Sequence, residues 1–124
     1  MCLKSRGKVR KAAVTVKENH EFRRIYRKGR SAVSPYLVVY CQKNREGRSR
    51  LGVTVSKKLG HAVVRNRVRR RIREIYRLNR EKMLPGWDII VVGRGRSVKG
   101  PYEKMNEAYL DCLRRLSLLR EETL

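Results

Sequence analysis

Between Arg65 and Arg77 the chain reads RNRVRRRIREIYR, a density of guanidinium groups suited to one kind of chemistry. A guanidinium carries a permanent charge and a planar fork of donors that matches phosphate oxygens. The same stretch keeps Val64, Val68, Ile72 and Ile75 at i, i+4, i+8 and i+11, flanked by Ala62 and Leu78. That spacing predicts a helix with one apolar seam. At about 100° of turn per residue, Arg65, Asn66, Arg69, Arg70, Arg73, Arg77 and Arg80 fall away from the seam. Arg67 and Arg71 fall at its margin. There a long stem lies along apolar surface with its head in water.

The ordinary meaning of a charge run is a solvated helix face. Such faces mix signs, because like charges one turn apart cost roughly 0.2–0.5 kcal/mol per pair. Only Glu74 and Glu81 dilute this ridge. Self-repulsion of this kind is relieved by a polyanionic partner. Composition points the same way: 33 Lys and Arg stand against 11 Asp and Glu, a net charge of +22. Nucleic acid is the first candidate partner. An anionic membrane is the weaker one, since no apolar run approaches the roughly 20 residues needed to span a bilayer.

Catalytic groups of the chain's own are missing from this pattern. His20 and His61 have no Ser or Cys partner at a recognisable spacing, and Asp88 reads as a lone acid in an apolar strand. Glu103, Glu107 and Asp111 repeat along one helix face with Lys104, Arg114 and Arg115 nearby, which reads as a solvated face. Two-metal nucleases need several convergent carboxylates. Gly93–Gly100, GRGRSVKG, lacks the GK[ST] ending of a phosphate loop and reads as a basic turn. Cys2, Cys41 and Cys112 are odd in number and scattered, so neither a disulfide framework nor a zinc site is indicated. Cys41 and Cys112 occupy apolar positions and read as buried thiols. Residues 1–14 lack the apolar region of a secretory signal, so the expected location is cytoplasmic.

The elements that must position the ridge follow from the rest of the chain, which at 124 residues is one domain. Residues 1–14 read as a basic N-terminal arm and residues 15–124 as the domain. Thr15 or Asn19 caps a helix that carries Phe22, Ile25 and Tyr26 and ends at Gly29. On spacing alone, Phe22 and Tyr26 pack inward. A strand over Tyr36–Gln42 places Leu37, Val39 and Cys41 on one face and Tyr36, Val38 and Tyr40 on the other. The second face is either covered or a floor for stacked bases. After a polar hairpin loop, the Arg50–Ser56 strand sets Leu51, Val53 and Val55 against a small row, Gly52, Thr54 and Ser56. The small row leaves room above the sheet. The arginine helix runs from about His61 to Asn79, Trp87–Val92 is a buried strand, and a last helix carries Met105, Tyr109, Cys112, Leu116 and Leu119. The expected fold is α+β, a small mixed sheet packed with helices in the order α-β-β(-β)-α-β-α. If its flanking strands are parallel, the arginine helix is a crossover, which the general rule makes right-handed.

The stretch SKKLGHAVVRNRVRRRIREIYR, Ser56 to Arg77, resembles the signature of the protein subunit of bacterial ribonuclease P. The resemblance runs from about Phe22 to Leu119 and includes Phe22-x-x-x-Tyr26-x-x-Gly29, the Tyr36–Tyr40 strand and WDIIVV. It implies a fold like the second domain of ribosomal protein S five, with a left-handed crossover against the general rule. It implies a catalytic RNA partner that cleaves precursor tRNA at the mature 5′ end, with Mg²⁺ held by the RNA. It implies no membrane and no required protein partner. Carried over by position, Arg65, Asn66, Arg67, Arg69, Arg70 and Arg73 contact RNA. Phe22, Tyr26 and Tyr40 line a cleft for the single-stranded 5′ leader, with Ser56 and Lys57 at its edge. This reverses the inward reading of Phe22 and Tyr26. The competing readings are a ribosomal or RNA-chaperone protein without a leader cleft, and a stand-alone metallonuclease.

Overall fold

A computed structural model describes residues 14–16 and 19–120. Five strands form one mixed sheet: β1 (Val14–Thr15), β2 (Arg30–Val33), β3 (Leu37–Lys43), β4 (Arg50–Val55) and β5 (Trp87–Gly93). Their spatial order is β1-β4-β5-β3-β2. β1, β4 and β5 run parallel, whereas β3 is antiparallel to both β5 and β2. Among the described residues four α-helices accompany the sheet: α1 (Asn19–Lys28), α2 (Ala62–Leu78), the single-turn α3 (Arg96–Lys99) and α4 (Tyr102–Arg115).

Period-2 alternation sends β3 and β5 residues to opposite sides of the sheet. Leu37, Val39, Cys41, Ile89 and Val91 join the core under α2 and α4. From α2 this core takes Val68, Ile72, Ile75 and Tyr76; from α4 it takes Met105, Tyr109, Cys112 and Leu113. The opposite side holds a small cluster, Val16, Ile25 and Ile90, with Phe22, Tyr40 and Val92 packed against it under α1.

The α2 seam is as its spacing predicts at Val68, Ile72 and Ile75, and differs at its ends. Val64 is half-buried, Ala62 is exposed, Leu78 is 56% exposed, and Tyr76 is buried in its place. A 3.6-residue period drifts off a four-residue step, so the buried stripe reaches position 76 by the fourth turn.

Four further expectations are corrected and one optional strand is placed. Thr15 does not cap α1: it lies in β1, which pairs with Arg50 and Leu51, so the boundary drawn after residue 14 cuts a strand. The first thirteen residues, most of the expected basic arm, lie outside the described ones. Residues 30–33 form β2, the optional strand of the expected order, of which only Ala32 is buried. Tyr36 does not share a face with Tyr40. Ser34 Oγ accepts from the backbone N–H groups of Tyr36 and Leu37 at 3.3 and 3.1 Å, and this turn swings Tyr36 onto the main core. The basic Gly/Ser loop contains a helical turn, α3. Finally α4 stops at Arg115, with Ser117 at φ 61°; Leu119 then bridges to Met83 rather than continuing the helical stripe.

Candidate RNA interface

The arginine ridge stands on α2 as a row of long side chains with few partners. Arg65 donates from Nε to the Gly60 carbonyl at 3.2 Å, and Arg69 donates to Asn66 Oδ1 at 3.0 Å. Arg77 meets Glu74 at 3.7 Å. Among the described residues Arg67, Arg70 and Arg73 have neither an ion pair nor a hydrogen-bond partner. Arg71 lies at the margin as expected, its stem half-buried and its head donating to the Gly100 carbonyl at 2.9 Å. Partnered and unpartnered guanidinium groups thus alternate along the ridge.

On the opposite side of the sheet three aromatic rings form a connected row. Tyr26 meets Tyr40 edge-on with centroids 4.7 Å apart, and Phe22 lies 6.2 Å from Tyr26. Tyr26 is 37% exposed and its hydroxyl shares a hydrogen bond with Thr54 Oγ1 at 3.1 Å; Phe22 and Tyr40 are half-buried. The small row on β4 is what admits these rings. A Cβ at Gly52 would lie 2.9 Å from Phe22 Cζ, so a side chain there would displace the ring. The space above β4 is thus partly taken by α1 aromatics rather than left wholly open.

The sheet edge joins the two regions. A groove of about 480 Å³ is lined by Thr15, Val16, Phe22, Leu51 and Val53 together with Arg69, Arg70, Arg73 and Arg77 of α2, and Glu74 stands among those arginines. Ser56 and Lys57 are exposed where β4 ends, and Ser56 Oγ accepts from the Lys58 N–H at 3.1 Å to hold that turn. The structure therefore brings Phe22, Tyr26 and Tyr40 together, and Arg69, Arg70 and Arg73 line the same groove as Phe22. Arg65, Asn66 and Arg67 stand nearer the start of α2, outside that groove.

One feature of the interface is not the isolated acid that its apolar neighbours suggest. Asp88 is 1% exposed and is gripped by Arg50, whose Nε donates to Oδ1 at 2.9 Å and whose second nitrogen donates to Oδ2 at 2.8 Å. Asn44 donates to Oδ1 at 2.9 Å, and Arg24 of α1 stands 3.7 Å away. Arg50 also pairs with Glu21 of α1 at 3.0 Å. Burial pushes the Asp88 carboxyl up, but Arg50, Asn44 and Arg24 outweigh it and hold the group below its ordinary value. The Asp88 hydrogen bond, against the opposing effect of burial, raises Arg50 in turn. This network fastens α1, and hence Phe22 and Tyr26, to the sheet. A buried carboxylate must be paired, so Asp88 in an apolar strand was itself the signal. Its partners lie on β4, α1 and a hairpin loop, which no local pattern connects.

The family model for Ribonuclease P matches residues 11–117. The chain belongs to the Ribonuclease P protein family. It is 37% identical over 111 residues to the "Ribonuclease P protein component" of Natranaerobius thermophilus, covering 90% of this chain and 96% of that one. It is 40% identical over 104 residues to the protein of the same name from Clostridioides difficile, covering 83% and 91%. Among solved structures, the Staphylococcus aureus RNase P protein superposes with a TM-score of 0.79 at 36% identity, covering 87% of this chain and 99% of that one. The Thermotoga maritima RNase P protein gives 0.75 at 32% identity, covering 82% and 96%. Family membership therefore rests on sequence and fold together.

Proposed function

We propose that this chain acts as the protein subunit of ribonuclease P, assisting a catalytic RNA that removes the 5′ leader of precursor tRNA. The α2 ridge, Arg65, Asn66, Arg67, Arg69, Arg70 and Arg73, sits against the catalytic RNA. Phe22, Tyr26 and Tyr40 stack leader bases, with Ser56 and Lys57 at the edge of that cleft. Residues 15–124 act as one RNA-binding domain, with the basic N-terminal residues adding to its charge. The observation that carries the reading is the groove at Phe22, where the aromatic row meets the arginine row. A stacking surface continuous with a cationic one is what an unpaired strand leaving a structured RNA demands.

The hydrolysis belongs to the RNA in this proposal. Among the described residues no three His, Cys, Asp or Glu side chains converge to hold a metal. The most buried acid, Asp88, is already saturated by arginine and asparagine donors. We assign Mg²⁺ to the RNA. No helix among the described residues is long and apolar enough to cross a membrane, and we place the protein in the cytoplasm with its RNA.

Labelled precursor tRNA, catalytic RNA, protein and Mg²⁺ in all combinations test this. Cleavage at the mature 5′ end that needs the RNA and is enhanced by the protein is the expected result. Cleavage by protein and Mg²⁺ alone would make it a metallonuclease. Protein that binds RNA without enhancing cleavage would make it a general RNA chaperone or ribosomal protein.

A further inference from the structure

A second basic hollow, of about 760 Å³, lies past the turn that ends β4. Its floor is Tyr36, Leu59 and Val98, each partly buried against the main core; its rim is Lys58, Arg96 and Lys99. It sits outside the carboxyl ends of the parallel strands β4 and β5, where the Ser56–Gly60 and Arg94–Gly100 connections emerge. Open sheets with parallel strands characteristically bind ligands in that position.

The floor is fixed. The Tyr36 backbone N–H donates to Ser34 Oγ, and its carbonyl accepts from the Arg94 N–H at 3.0 Å. Only glycine fits at position 100, because a Cβ there would overlap the Tyr36 ring. Arg71 ties Gly100 to α2, so the hollow and the arginine ridge form one rigid surface. The rim is free: among the described residues Lys58, Arg96 and Lys99 make no side-chain hydrogen bond or ion pair. An aromatic floor beneath unpaired cations suits a base with its phosphate. The hollow packs on the α2 face of the sheet, whereas Phe22, Tyr26 and Tyr40 lie on the other.

We propose that this hollow seats one unpaired nucleotide of the catalytic RNA, its base on Tyr36 and its phosphate among Lys58, Arg96 and Lys99. The proposal rests on the reading that α2 faces that RNA. Tyr36→Leu keeps an apolar side chain and removes the π face. With catalytic RNA at fixed salt, this variant should melt close to wild type and bind about tenfold more weakly, the scale of one lost base–aromatic stack. Precursor and mature tRNA should be affected equally. A Lys58→Ala, Arg96→Ala, Lys99→Ala triple variant touches only the rim and keeps the proposal testable if Tyr36→Leu melts early; it should flatten the salt dependence by one to two contacts. Wild-type affinity and slope in the triple variant would overturn the proposal. So would a loss confined to precursor tRNA, which would put the leader in the hollow. Arg69→Ala with Arg73→Ala reports the underlying reading separately: if that pair binds catalytic RNA like wild type, the reading of α2 fails whatever the hollow does.

Discussion

Under α2 and α4 the sheet buries nineteen described residues in one cluster; under α1 it buries three, Val16, Ile25 and Ile90. The two faces are therefore held by different forces. The α2 face is apolar burial, at roughly 25 cal/mol per Å² removed from water. The α1 face is a thin apolar patch supplemented by the Glu21–Arg50–Asp88 chain of ion pairs. The thin face is the one that leaves Phe22, Tyr26 and Tyr40 accessible. A deep core beneath α1 would have consumed those rings as packing. The fold thus puts most of its apolar burial on one side of the sheet and the aromatic row proposed to meet the leader on the other.

The largest effect expected is on the thick face. Val68→Asp buries a carboxylate with no partner, at a cost of several kcal/mol against a typical total near 5–15 kcal/mol. Cooperative thermal unfolding should disappear, while Arg70→Asp on the exposed ridge should melt nearly as wild type. Similar melting curves for the two would remove the distinction between seam and ridge.

Next comes Asp88→Ala, which removes the buried partner of Arg50 and leaves it Glu21 alone. Breaking a buried pair costs about 3–5 kcal/mol. Hydrogen exchange should show α1 amides losing protection well before α2 amides, and uniform loss would contradict the separate anchoring of the faces. Acid should act on the same contact. The Asp88 carboxyl is held low in the folded chain, so its contribution is complete above the unfolded value near 3.9 and fades as pH falls below it through the lower folded value. α1 should loosen in that acid window, and Asp88→Asn should lack this share of the acid response.

A smaller change is expected on the ridge. Arg69→Ala with Arg73→Ala should flatten the log–log salt dependence of RNA binding by one to two phosphate contacts, at about 0.7 per contact on single strands. An unchanged slope would make these side chains solvated decoration.

How far each feature could be read in advance follows from whether its cause is local. The α2 ridge was legible because periodicity is a local property, and the misplaced ends, Leu78 for Tyr76, show where a four-residue step outruns the helix. β2, the optional strand of the expected order, had no place assigned to it because RSAV buries one residue and so carries almost no alternation. Tyr36 was assigned to the wrong face because the Ser34 turn interrupts the alternation that placed it. The Arg50–Asp88 pairing depends on strand register across two parallel strands, which no window of sequence contains. The residues alone left Phe22 and Tyr26 pointing inward; the proposal that they line a cleft came from the family signature and not from any spacing in the chain.

The claim that one face stabilises and the other recognises is tested most directly by Tyr40→Ala, read as the ratio of precursor to mature tRNA affinity with the catalytic RNA present. Tyr40 touches Tyr26, while its neighbours Val39 and Cys41 stay buried on the other side and hold β3 in place. Stacking is worth roughly 1–3 kcal/mol per base, so the ratio should fall by about tenfold or more. Mature tRNA affinity and melting temperature should change little. A folded Tyr40→Ala protein with an unchanged ratio would contradict the account and leave recognition to the arginine ridge alone.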